Sequence, residues 1–151
     1  MDGRLGFDAF VVEMRPRLAR AFVAAYGPDR GQEALAEALG YAWEHYDKLV
    51  IMDNPTGYLY RVGQSRTRAR RHDPEFPAPS TIGLPAIEPG LANALKSLSE
   101  RQRVCVVLVF GFEWTHQEVA GLLGLSRSSV QNHVERGVQH LRDVIGVTSD
   151  A

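Results

Sequence analysis

One cysteine in 151 residues, Cys105, leaves no internal disulfide to form, and its place inside an apolar run reads as a buried structural thiol. Nor is there an apolar stretch near the roughly 18 residues that would cross a bilayer, so no membrane insertion is expected. The opening Met1-Asp2-Gly3-Arg4 leads into an amphipathic segment, without the apolar centre of a signal peptide, and a reducing cytoplasm is the expected compartment. Chemistry is also sparse. His45, His72, His116, His133 and His140 form no ligand set with the lone cysteine, which argues against a zinc site. There is no Walker loop, no Gly-rich dinucleotide turn and no nucleophile elbow. His133 could be drawn as a catalytic pair with Glu118 or Glu135, but a surface histidine is the simpler reading. No enzyme activity, cofactor or metal is expected. The formal net charge is −1, so bulk charge gives no support for a polyanionic partner.

What is present is helical periodicity, interrupted once. Residues 72–90 hold Pro74, Pro77, Pro79, Pro85 and Pro89 with Gly83 and Gly90, which excludes a continuous helix and predicts a flexible linker. No segment alternates like a strand. The chain is therefore expected to be all-α, two small helical domains at 1–71 and 91–145 joined by that linker, each with its own core. In the first domain Phe10, Met14, Leu18 and Phe22 lie four apart on one helix spanning 7–26, which Pro16 should kink or delay. Gly27-Pro28 ends it. A second helix, about 29–48, carries Leu35, Leu39, Ala42, Tyr46 and Leu49. Asn54-Pro55 supplies a cap and a first-turn proline for a third. That third helix runs into Arg61, Arg66, Arg68, Arg70 and Arg71 with no acid among them, either a phosphate-contacting stripe or a solvated basic face.

The second domain has sharper punctuation. Leu91, Leu95 and Leu98 form a short stripe, and Ser99-Glu100-Arg101-Gln102 is a capping box. Thr115-His116-Gln117-Glu118 is another. It opens a short helix bearing Val119, Ala120 and Leu123, followed by Gly124 for a sharp turn, Leu125 as a plug and Ser126 as the next cap. The last helix turns Val130, Val134, Val138 and Leu141 inward. This is the pattern of a helix-turn-helix, against the plainer alternative of a helical hairpin with a polar outer face. Arg127, Ser128, Ser129, Gln131, Asn132, Glu135 and Arg136 are left pointing outward. Arginine suits guanine or phosphate, asparagine and glutamine suit adenine, and serine suits either, so the expected partner is duplex DNA.

The stretch LSERQRVCVVLVFGFEWTHQEVAGLLGLSRSSVQNHVERGVQHLRD resembles region 4 of the extracytoplasmic-function sigma factors, in the sigma-70 superfamily. EALAEALGYAWEHYDKL is similar to the helix of their region 2 that docks on the RNA polymerase clamp, and NPTGYLYRVGQSRTRARR to the segment that melts and reads the minus-ten element. The resemblance implies a sigma factor that directs RNA polymerase core to specific promoters and initiates transcription. It implies that Arg127, Ser128, Ser129, Gln131, Asn132 and Arg136 read the minus-35 element. Tyr58, Tyr60, Arg61, Ser65, Arg66 and Arg68 would serve the minus-ten element, and Glu33 and Glu37 would bind core polymerase. On residues alone, Tyr58 and Tyr60 fit either base stacking or ordinary packing. The chain departs from the family at Ala36, where a Gln is usual, at Tyr58 for Trp, at Ser65 for Asn and at Ala69 for an acid. Partners implied are core polymerase, promoter DNA and, in many members, an anti-sigma factor. Two other readings are a sigma-like helix-turn-helix regulator that binds DNA without core polymerase, and a module that sequesters another regulator.

Overall fold

A computed structural model describes residues 3–69 and 89–146, so the expected linker lies almost wholly outside the described residues. The described part is all helix and turn, with no strand. The elements are α1 (Gly3–Tyr26), α2 (Pro28–Glu44), α3 (Tyr46–Leu49), α4 (Pro55–Ala69), α5 (Pro89–Ser97), α6 (Glu100–Val106), α7 (His116–Leu123) and α8 (Arg127–Ile145). Between α6 and α7 the chain makes one wide turn over Val107–Gly111, closed by the Phe112 N–H donating to the Val107 carbonyl at 3.2 Å.

Pro16 neither delays nor ends α1, which begins at Gly3. Pro16 and Val12 are both exposed, so the carbonyl that loses its partner there can turn to water. The second helix is shorter than its periodicity predicts. It breaks at His45, whose ring stacks on Tyr41 at 4.0 Å while its Nδ1 lies 3.1 Å from the Tyr41 carbonyl. Asn54 caps α4 as expected, its Oδ1 accepting from the Gly57 N–H at 3.0 Å.

Met14, Leu18 and Phe22 of α1 are buried against Ala34, Leu35 and Ala38 of α2, and α4 packs on both helices with Leu59 and Tyr60. In the second half α5, α6 and α7 all pack on α8. The expectation of two separate cores is corrected here. One cluster of buried residues runs from Leu18 and Phe22 through Tyr60 to Val104, Cys105, Leu108, Val119 and Val130. The halves join where α1 meets α6 and α4 meets α7. Size fits this: units of roughly 60 residues are marginal on their own, and here each covers the other's apolar side. The seam is narrow at Gly57, where an added Cβ would fall 2.9 Å from the Leu122 carbonyl of α7.

The most buried charge of the seam escaped the sequence reading. Arg103 is only 4 % exposed. Its Nε donates to the Ala25 carbonyl at 2.9 Å, and its Nη1 donates to Leu98 at 2.8 Å and Leu95 at 3.3 Å. These carbonyls belong to the C-terminal ends of α1 and α5, where the last turns lack intrahelical donors and the helix dipole favours a cation. One guanidinium thus finishes two helices from opposite halves of the molecule.

Candidate nucleic-acid interface

The helix-turn-helix is built by local chemistry. Thr115 Oγ1 accepts from the Glu118 N–H at 3.0 Å, and Glu118 reaches back to the Thr115 N–H at 2.8 Å. Those contacts, with Arg17 nearby, hold the Glu118 carboxyl below its usual range. Gly124 sits at φ 69°, a left-handed conformation that costs a β-carbon-bearing residue roughly 1–2 kcal/mol. The chain then turns sharply, with the Leu125 N–H donating to the Ala120 carbonyl at 3.1 Å. Ser126 caps α8 by accepting from the Ser129 N–H at 3.1 Å, and α8 turns Val130 and Val134 into the core.

Arg127, Ser128, Gln131, Asn132, Glu135 and Arg136 are consequently exposed together on the outer face of α8. Ser129 differs. It is half-buried, and its hydroxyl accepts from Ser126 at 2.9 Å, so it takes part in the cap. His133 is half-buried beside Arg101 and Arg136. Burial first, and those two cations after it, hold its pKa below the ordinary imidazole value.

In the first half the candidate residues separate into two faces of α4. Tyr58, Arg61 and Ser65 are spaced three and four apart and line one cleft of about 310 Å³, with Arg66, Val62 and Tyr41. The Tyr58 hydroxyl lies 3.1 Å from that of Tyr41. Arg66 stands 5.8 Å over the Tyr41 ring and pairs with Glu37 at 3.1 Å. Tyr60 is not in this cleft. Two residues beyond Tyr58 on a helix, it faces the other way, 1 % exposed and stacked on Phe22 at 5.1 Å. The expectation that Tyr60 could meet unstacked bases is therefore corrected: it is a core residue, and its hydroxyl pKa is raised by burial. Arg68 also leaves the cleft, pairing with Glu100 of α6 at 3.0 Å. Arg70 and Arg71 lie outside the described residues.

Glu33 and Glu37 line an open groove on α2 with Ala36, Gly40, Trp43, Glu44 and Arg66. Trp43, 57 % exposed, is the member that periodicity overlooked; a tryptophan standing off the apolar stripe was the available signal. No group of residues able to hold a metal occurs among the described residues. No described helix is long and apolar enough to cross a membrane.

Residues 90–141 match the family model for sigma-70, region 4. The match covers all but the first residue of α5, then α6, α7 and most of α8, the part that carries the capping boxes and the exposed polar face. No curated protein sequence matches the chain. Among solved structures it is similar to the sigma factor RpoE of Bartonella quintana, determined in complex with the anti-sigma factor NepR. Identity is 18 %, the TM-score is 0.65, and the likeness covers 94 % of this chain and 98 % of that one. The likeness of fold thus extends across both halves of the chain.

Proposed function

We propose that the chain is a sigma factor of the extracytoplasmic-function type, which binds RNA polymerase core, brings it to promoters and helps open the DNA. The observation that carries this reading is the presence of three distinct surfaces on one small chain. The polar outer face of α8 suits the major groove of duplex DNA. The cleft of Tyr58, Arg61, Ser65 and Arg66 combines an aromatic ring with cations, as binding of unstacked bases and their phosphates requires. The acidic groove of Glu33 and Glu37 with exposed Trp43 suits a basic protein surface. On this reading residues 1–71 act as region 2 and 91–145 contain region 4. The working compartment is the cytoplasm, and an anti-sigma protein is a further partner, as for the similar sigma factor.

Co-elution with core polymerase is the direct test. Replacing Glu33 and Glu37 together by Lys should abolish co-elution while the helical signal persists. Because Glu37 also pairs with Arg66, E33K alone is the cleaner arm and should weaken binding without disturbing that pair. Wild-type retention of core by the double variant would place docking elsewhere. A wild-type chain that ignores core but binds duplex DNA would favour a helix-turn-helix regulator.

Specificity has its own readout. Gln131→Ala or Asn132→Ala should cost roughly 1–3 kcal/mol on the preferred upstream sequence and little on unrelated duplexes. Equal losses on every sequence, measured by titration at fixed salt, would remove base reading from this helix.

A further inference from the structure

Charge on this chain is sorted, and one set of cations stands apart from the acids. Arg17, Arg66 and Arg68 pair with Glu118, Glu37 and Glu100 respectively. Arg61, Arg101 and Arg136 are exposed and enter no ion pair among the described residues. They come from three helices, α4, α6 and α8, yet they gather along one flank of the helix-turn-helix. On α8, Arg136 is turned about 40° and His133 about 100° from Asn132, both toward the side where α6 packs. Gly137 marks that side: a Cβ added there would fall 3.5 Å from the Cβ of Gln102, the neighbour of Arg101. The His133 ring records the same arrangement, since after burial it is Arg101 and Arg136 that lower its pKa.

Arg61 extends this flank from the first half of the chain. Its Nη1 would lie 3.4 Å from a Cβ added at Gly124, the left-handed residue at the turn before α8. Arg61 and Arg101 also line one small recess between α4, α6 and the end of α7 at Leu123. Hydrogen bonds on either side of Arg61 hold α4 in this register. Asn54, just before α4, donates through Nδ2 to the Gly121 carbonyl of α7 at 2.6 Å. Further along, Gln64 and Arg68 donate to Glu100 of α6. Glu100 is the acid that lines the recess, and those two donors already engage its carboxylate. Glu135 lies about 60° from Asn132 in the opposite sense, on the far flank of α8.

Like charges gathered on one flank repel one another, and a polyanion laid across them removes that cost. The shape of the ligand follows from α8. A helix about 10–12 Å across fills a major groove about 12 Å wide, so the phosphates of the two strands stand at its flanks. We propose that Arg61, Arg101 and Arg136 form one phosphate track, to which both halves contribute, for a strand of the duplex whose major groove α8 occupies. Arg61 then serves duplex DNA in the polymerase-free chain, a role distinct from its place in the Tyr58 cleft. This role requires α8 to meet duplex DNA and requires no polymerase.

The test is titration of the full-length protein, without polymerase, onto two unrelated DNA duplexes across a salt series. Arg61→Ala and Arg101→Ala should each weaken binding roughly 3- to 10-fold on both duplexes and flatten the log–log salt slope by about 0.9. The double variant should lose about twice that slope, because separate phosphate contacts add. Arg61→Lys should recover most of the affinity, since an ammonium also serves a phosphate as a point charge. Both arginines are exposed, so thermal midpoints should stay at the wild-type value. Should alanine disturb the fold, Arg61→Gln keeps the stem and carries the same expectation. Wild-type affinity and slope for Arg61→Ala would overturn the shared track and confine duplex contact to the second half. Losses on one duplex alone would make the contact base-specific and overturn the phosphate assignment. A wild type that binds neither duplex overturns the track as well, while co-elution with core decides the sigma-factor reading separately.

Discussion

Replacing Arg103 by Met should lower the stability of the whole chain by about 3–5 kcal/mol, although methionine fills similar space. The loss comes from carbonyls. The guanidinium satisfies the Ala25 and Leu98 carbonyls and adds a second donor to Leu95, which also accepts from the Leu98 N–H, and methionine offers no donor in this buried region. For a chain of this length the thermal midpoint should fall by roughly 6–20 °C. Lysine should recover only part of the loss, because a single ammonium cannot reproduce the planar fork that reaches two helix ends. Burial already draws the Arg103 pKa downward, and Glu100 opposes that shift, so the site favours a group that stays charged when desolvated. Thermal unfolding followed by circular dichroism checks this. A shift of only a degree or two would mean that water replaces the guanidinium easily.

Tyr60 should behave as two different residues depending on which part is removed. Tyr60→Ala deletes a ring stacked on Phe22 at the centre of the shared core and should cost about 3–5 kcal/mol. Tyr60→Phe removes only a hydroxyl that has no partner among the described residues, and should leave stability unchanged or raise it by up to about 1 kcal/mol. Promoter opening should not respond to Tyr60→Phe. Tyr58→Ala should instead slow opening, since stacking on a base is worth about 1–3 kcal/mol, with little loss of fold. If Tyr60→Phe impaired opening as much as Tyr58→Ala, Tyr60 would have to leave the core during function.

The contrast between these tyrosines shows what the sequence could tell. The helix-turn-helix was readable because each of its parts is a local rule: a box at Thr115, a left-handed glycine, a serine cap and inward valines at helical spacing. Pro16 does not delay α1, because proline's cost depends on whether the orphaned carbonyl can face water, which the linear pattern does not record. Tyr58 and Tyr60 share composition and neighbourhood, yet a rotation of about 200° between them puts one at a cleft and the other in the core. The seam was illegible for a different reason. Asn54, Glu100 and Arg103 look like an ordinary cap, a first-turn acid and a surface cation. Their partners lie 67, 36 and 78 residues away, and no periodicity reaches that far.

The close approach at Gly57 bears on how such a chain could be rebuilt. Proteins made of a front half and a back half invite exchange, with the DNA-reading end of one relative joined to the polymerase-reading end of another. Here a graft would inherit a mating surface as well as a tether. A foreign back half would have to present its own carbonyl to Asn54, leave room beside a residue with no side chain, and carry an arginine aimed at the end of α1. Partners for recombination are therefore restricted by fit along that surface before promoter preference enters at all.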